Sequence, residues 1–358
     1  MSISSNVWFT SADNNEGITQ VSERLTRLFD SFSLSEKVAG YADAQIKVHF
    51  GEQGNTGYVK PELIRTLTGY LGRHEIIATI SDTNTLYRGR RTKSGEHLRL
   101  AHQHGFTDKA VGGNVVIADE TTDGGVKNVV FNGKHIKEAK IMARYTDTEL
   151  LIAVSHFKGH IITGAGGALK NIGMGCASRE GKLAQHSSVA PYVEKRKCIG
   201  CEACVAVCPV DAILMSNGKA EVRSENCIGC ASCIAACGSD AMEIDWGSGA
   251  PELSERMVEY AAAVLNSPGK KVFVNVAMHI TAECDCIAED DPSIVPDVGL
   301  FISEDPVAID QACYDRCCRS AGGYDPFRKA HPRRNCSVQL DYAERLHLGS
   351  RAYALIEV

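Results

Sequence analysis

The chain has 358 residues, a hydrophobic fraction of 44%, a charged fraction of 23% and a formal net charge of −6. That length suffices for one large or two ordinary domains with real cores, and the acidic balance excludes the broad basic field that nucleic-acid binding needs. No stretch approaches the ~18 apolar residues of a membrane span, and Met1 to Asn14 has no basic segment followed by an apolar run, so a cytoplasmic protein is expected.

In chain order, Gly17 to Phe32 repeats apolar residues at helical spacing (Ile18, Val21, Leu25, Leu28, Phe29) and reads as an amphipathic helix. Gln45 to Phe50 reads as a strand ending in the glycine-rich loop Gly51 to Gly57, and Pro61 opens a helix to Leu71. Glu75 to Ser81 is a second strand, feeding Asp82 to Tyr87. Thr92 to His104 is helical, Val115 to Asp119 and Lys127 to Phe131 are strands, and Leu150 to Ser155 is a buried strand that delivers His156. Beyond Pro251 a helix (Leu253 to Leu265), two strands (Lys271 to Ala277 and Val298 to Ser303) and a helix (Pro306 to Ser320) resume the alternation. In Asp305 to Asp310 a carboxylate and a proline stand where a helix cap and its first turn belong. Strands alternating with helices predict an α/β fold with a largely parallel sheet.

Between these two parts eight cysteines are spaced Cys198-x2-Cys201-x2-Cys204-x3-Cys208 and Cys227-x2-Cys230-x2-Cys233-x3-Cys237. Each iron of a cubane cluster needs one thiolate. Three cysteines two residues apart on a looping backbone reach three irons of one cube, and the fourth ligand comes from elsewhere. A structural zinc site, the alternative, closes with four ligands and has no use for two runs of four. A shift of 29 residues superposes the two runs, so the stretch is also an internal repeat. These residues resemble a bacterial two-cluster ferredoxin over about Val193 to Asp245, with Gly238 where the pattern has the proline that Pro209 supplies after the first run. The resemblance implies two 4Fe-4S clusters with crossed ligation: Cys198, Cys201, Cys204 and Cys237 on one, Cys227, Cys230, Cys233 and Cys208 on the other. The expected organisation is an α/β body in two parts, residues 1–190 and 247–358, around an inserted α+β ferredoxin module at 191–246. Its joints fall at Ser187 to Tyr192 and Asp245 to Pro251, and two separate α/β domains are the alternative. The other seven cysteines are unpatterned, which fits a reducing compartment and, with exposed clusters, an anaerobe.

The second unusual stretch runs from Ser155 to His186, directly after a strand. It gathers the candidate catalytic residues His156, His160 and Lys170 and the candidate cofactor-binding residues Lys158, Gly164, Gly166, Gly167, Lys182 and His186. Ligands of open α/β sheets bind beyond the carboxyl ends of strands, glycines let backbone amides approach an anion, and the bland alternative is tight loop packing. A strict Gly-x-Gly-x-x-Gly fingerprint is absent, since after Gly164 and Gly166 the third glycine's place is taken by Leu169, so a nicotinamide cofactor is not expected. Strand-end loops offer His49, Glu52, Asp82, Tyr87, Arg88 and Arg90. Cys284-Asp-Cys286 offers two thiolates, too few for a closed structural metal site.

The motifs Lys47 to Glu52, Asp82 to Tyr87, Ser155 to His160, Gly164 to Cys176, Cys284 to Cys286 and Ser303 to Asp310 together resemble domain-of-unknown-function family 362, whose members similarly join an α/β domain to two-cluster ferredoxin motifs. The family lends no settled reaction. The His156, Gly166-Gly167 and Lys170 pattern is also similar, by analogy only, to the cofactor region of the lactate racemase family. The expected function is an iron–sulfur oxidoreductase that passes low-potential electrons from a redox partner protein to a small-molecule substrate or cofactor. A flavin or other anionic cofactor would suit the basic pocket, although no flavin motif is readable. The alternatives are an electron carrier or assembly factor without a substrate, and a cluster-based redox or iron sensor.

Overall fold

The computed structural model describes residues 5–87, 89–119, 125–186, 190–244 and 250–358. Arg88, residues 187–189 of one expected joint and residues 245–249 of the other lie outside the described residues. An eight-stranded sheet forms from β1 (Ser5–Ser11), β2 (Asp43–Lys47), β3 (Ile77–Asp82), β4 (Asn114–Ile117), β5 (Leu150–His156), β6 (Lys270–Ala277), β7 (Gly299–Ser303) and β8 (Tyr353–Glu357), in the order β8-β1-β7-β6-β5-β2-β3-β4. Only β7 runs antiparallel to its neighbours. The largely parallel α/β sheet expected from the sequence is therefore what forms.

β5 is the strand on which the site is built. Every residue of it is buried, with Leu150, Ile152 and Val154 in one core and Leu151 and Ala153 in the other. A strand covered on both faces has no solvent side, hence its unbroken apolar run. On one face lie the helices Ile18–Ser31 and Pro61–Gly72; the buried Val21, Leu25, Leu28 and Phe29 recur at three- and four-residue intervals and make a single stripe. On the other lie Ala168–Gly173, Ala250–Leu265, Pro306–Ser320 and Ser337–Arg345. The sequence reading has no strand at either terminus, because β1 and β8 form by pairing with each other and β1 with β7, a long-range event that leaves no local period.

The cysteine-rich residues 190–244 lie between β5 and β6 in sequence, yet those two strands pair directly from Leu150 with Lys270 to His156 with Val276. The intervening stretch has its own core, including Cys198, Cys204, Ile213, Ile234 and Met242, and Tyr192–Val193 pairs with Met242–Glu243 to bring its ends together. Leu86 and Leu183 of the α/β body complete that core. The repeat seen in the cysteines extends to the backbone: positive φ recurs 29 residues apart at Gly200 and Gly229, at Glu202 and Ala231, and at Asp211 and Asp240. Two copies of one chain trace result.

Asp305 ties the termini to the sheet. Its Oδ1 accepts the Val307 and Ala308 N–H groups at 2.8 and 2.9 Å, capping Pro306–Ser320, while Oδ2 accepts the Ser5 hydroxyl at 2.6 Å and the Ser350 N–H at 2.8 Å. Asp305→Ala removes a cap worth ~1 kcal/mol and two further charged hydrogen bonds, so the unfolding free energy should fall by about 2 kcal/mol or more. A urea midpoint shifted at constant slope would show it; a loss under about 0.5 kcal/mol would mean that water replaces these bonds.

Candidate functional site

The carboxyl ends of β2, β3 and β5 open into a cavity of about 260 Å³, where ligands of parallel sheets bind. Of the residues expected to form a pocket, His156, Lys158, His160, Gly166, Gly167, Lys170, Lys182 and His186 line it. Gly164 does not: its φ is +81°, and a Cβ there would lie 3.0 Å from the Cys336 amide nitrogen, so it serves close packing. His49, Asp82, Tyr87, Cys284 and Cys286 also line the cavity. Arg90 turns away to Gln103. Arg91, which no sequence signal marks, enters instead: it donates to Glu52 at 2.9 Å, to Nε2 of His49 at 2.6 Å and to the Tyr87 hydroxyl at 2.5 Å.

The cavity wall carries five lysine and arginine side chains, and three of them pair with carboxylates. Lys47 pairs with Asp82 at 2.9 Å, Arg91 with Glu52 at 2.9 Å and Lys158 with Asp285 at 2.6 Å. Burial alone would raise the Asp82 and Asp285 carboxyls; Lys47 for the first, and His156 with Lys158 for the second, outweigh it and hold both well below the usual carboxylate range. His156 is fixed between Asp285, which accepts from Nδ1 at 2.8 Å, and the Met278 carbonyl, which accepts from Nε2 at 2.8 Å. Its ring is therefore a strut of the cavity wall. Lys170 and Lys182 pair with no carboxylate among the described residues. Lys182 donates to the Thr83 hydroxyl and the Asn84 carbonyl, both at 2.5 Å, and burial brings its pKa down to about 8. Lys170 makes no hydrogen bond among the described residues, and burial, reinforced by Lys158, brings it down to about 7. Burial and Lys170 also lower His160, and burial takes His186 to about 4, so neither imidazole carries charge at neutral pH. The net result is a buried wall with excess positive charge, which an anion would relieve.

The glycine run works differently from the expectation of bare amides facing an anion. Asp310 accepts the N–H groups of Ala168 and Leu169 at 2.7 and 3.0 Å, and Asn275 donates to the same carboxylate at 2.7 Å. A Cβ on Gly167 would sit 2.3 Å from Asp310 Oδ1, and one on Gly166 would sit 2.7 Å from Lys170 Cδ. These glycines make room for a carboxylate cap and for the Lys170 stem. Attraction for a ligand thus comes from lysine side chains.

The order of these motifs along β2, β3, β5 and β7 bears on ancestry. Residues 45–315 match the model of a family described as a domain of unknown function, DUF362. The chain belongs to that family. No curated protein matches it. Among solved structures it is similar to the lactate racemase apoprotein from Thermoanaerobacterium thermosaccharolyticum, at 13% identity and a TM-score of 0.37, covering 77% of this chain and 51% of that one. It is also similar to a Thermotoga maritima protein, at 12% identity and a TM-score of 0.41, covering 85% of this chain and 59% of the other. The chain thus spans roughly half to three-fifths of the length of these two proteins.

In this DUF362 member the two cysteine runs interleave. Cys198, Cys201, Cys204 and Cys237 line one small cavity, and Cys208, Cys227, Cys230 and Cys233 line another. Backbone N–H groups point at the sulfurs, from Ala212 to Cys208 and from Ala241 to Cys237 at 3.2 Å, and from Ala220 to Cys198 at 3.5 Å. At Cys198 and Cys237 such donors favour thiolate over thiol.

Lys170 offers a direct check of the cavity's electrostatics. An ordinary lysine near pKa 10.4 is protonated and unreactive at neutral pH, whereas Lys170, depressed to about 7, should acylate with a half-maximal rate near pH 7. Peptide mass spectrometry after brief acetic anhydride pulses across this pH range would measure it. Labelling that begins only with the surface lysines would show its ammonium to be neutralised by a partner.

Proposed function

We propose that this protein is an iron–sulfur oxidoreductase, in which two 4Fe-4S clusters pass low-potential electrons to an anionic substrate or cofactor in the cavity at the end of β5. The observation that carries this reading is the helix Arg179–His186. It gives Leu183 to the core of the cysteine-rich module, and a Cβ on Gly229, between Cys227 and Cys230, would lie 3.9 Å from that leucine. The same helix gives Lys182 and His186 to the cavity wall. One helix, ~10 Å across, therefore separates the Cys208, Cys227, Cys230 and Cys233 set from the cavity.

Two cavities of four cysteines each, with backbone N–H groups aimed at the sulfurs, fit a pair of cubane clusters. When bound, the clusters would supply single low-potential electrons. The chain does the rest: Lys170 and Lys182 attract the anion, and Arg91 and Lys158, held by their carboxylates, keep the cavity wall in place. A flavin or another anionic cofactor would meet the same charge, and a redox partner protein would reduce the exposed module. An electron carrier without a substrate has no use for a cavity with two buried lysines that pair with no carboxylate among the described residues, which favours the enzyme.

Anaerobically purified protein should contain about eight iron and eight sulfide per chain; one or two equivalents of zinc without sulfide would overturn the cluster assignment. Lys170→Ala should retain that iron while weakening the anion that copurifies, identified by mass spectrometry, by about 1–3 kcal/mol, the value of one hydrogen bond to a charged group. Unchanged affinity would remove Lys170 from the binding site.

A further inference from the structure

The conversion of single electrons into pairs needs a two-electron group, and the cavity wall holds one in protein side chains. Of the chain's 15 cysteines, Cys284 and Cys286 are the pair joined by a disulfide. Both line the cavity that Lys170 and Lys182 line. Their placement is over-determined. The Ile287 N–H closes a turn onto the Cys284 carbonyl at 3.0 Å, the Tyr87 hydroxyl donates to the Cys286 carbonyl at 3.0 Å, and the Asp285 side chain between them is pinned by His156 and Lys158. Gly159 brings the neighbouring strand close, since a Cβ there would lie 2.2 Å from the Ala282 carbonyl oxygen, and this sets a ring nitrogen of His160 within 4.8 Å of both sulfurs.

Two sulfurs and an imidazole also suggest a soft-metal site. The hydrogen bonds of His160 argue otherwise. Its Nδ1 accepts the Thr163 N–H at 3.1 Å and the Ile162 N–H at 3.3 Å, so in the neutral ring the proton sits on Nε2, which leaves a donor rather than a lone pair on the free side.

We propose that Cys284 and Cys286 form a redox-active disulfide that collects two electrons from the clusters, one at a time, and hands them on as a pair to the bound anion. The source of the electrons rests on the cluster reading above. In the first half-cycle two electrons and two protons, the protons drawn from water in the cavity, cleave the S–S bond to two thiols. In the second, one sulfur attacks a disulfide of an anionic small molecule, forming a mixed disulfide; the other sulfur displaces it, so the Cys284–Cys286 bond re-forms and the substrate leaves as two thiols. A dithiol in a cationic pocket would thus take the place of the flavin for which the sequence shows no motif.

The test is electron counting on anaerobic, cluster-loaded full-length protein. On dithionite titration the wild type should take up about two electrons per chain more than Cys284→Ser/Cys286→Ser, with equal iron and sulfide in both. In parallel, iodoacetamide should leave the Cys284–Cys286 peptide unlabelled before reduction and label both sulfurs after it. Equal electron uptake by the two proteins at equal iron content, or labelling before any reductant is added, would overturn the proposal and leave the clusters standing. Iron and sulfide analysis reads the clusters separately: were they absent, the cluster source of the electrons would fall, and labelling after treatment with a phosphine reductant would still decide whether the pair is a reducible disulfide.

Discussion

The cavity depends on one buried carboxylate. Asp285 sits on the loop between β6 and β7 and is shared by His156 at 2.8 Å and Lys158 at 2.6 Å, all three nearly sealed from solvent. Such a group is costly to bury and strongly held once its partners are in place, because removal of one member leaves an uncompensated charge at a cost of ~3–5 kcal/mol. Through it the loop is fastened over the end of β5. The consequences spread outward: Cys284 and Cys286 are set in the wall, Tyr87 reaches the Cys286 carbonyl, and the Glu52 N–H reaches the Asp285 carbonyl at 3.0 Å, linking the glycine-rich loop after β2 to the same point.

Charge pairing then sorts the basic residues into two kinds. Lys47, Arg91 and Lys158 are structural cations whose charge is spent on Asp82, Glu52 and Asp285. Lys170 and Lys182 are desolvated without such compensation among the described residues, and their lowered pKa values of about 7 and about 8 record that cost. A site that stores unfavourable electrostatics is poised for an anionic ligand. Phosphate-type capture on the helix Ala168–Gly173 is closed off, since Asp310 already holds its first amides. An anion in the cavity would be met by the lysine side chains alone.

The cysteine-rich module and the cavity meet through the helix Arg179–His186, and this juxtaposition gives the protein its coherence. Leu183 and Lys182 are adjacent in sequence but serve opposite sides, one in the module's core and one in the cavity wall. A helix presents successive residues about 100° apart, so two neighbours can serve two compartments.

The sequence by itself determined what is local. The unbroken apolar run of β5, the amphipathic stripe of Ile18–Ser31, the Asp305 cap and the doubled cysteine spacing each follow from residues within a few positions of one another, and the observed elements reproduce them. It also placed the basic stretch His156 to His186 after a strand end, where the cavity is found. The tertiary structure decided which charges remain active. Whether a lysine is neutralised depends on a carboxylate from elsewhere in the chain: Lys158 and Asp285 lie 127 residues apart, and Ala168 and Asp310 lie 142 apart. No period or spacing encodes such a pair. For the same reason Arg91 stayed hidden behind Arg88 and Arg90, the terminal strands β1 and β8 went unread, and the meeting of Cys284 and Cys286 with His160 appeared only once Gly159 was packed against Ala282. Long-range contacts are set by the whole packed chain, and that is the part of the physics a local reading does not contain.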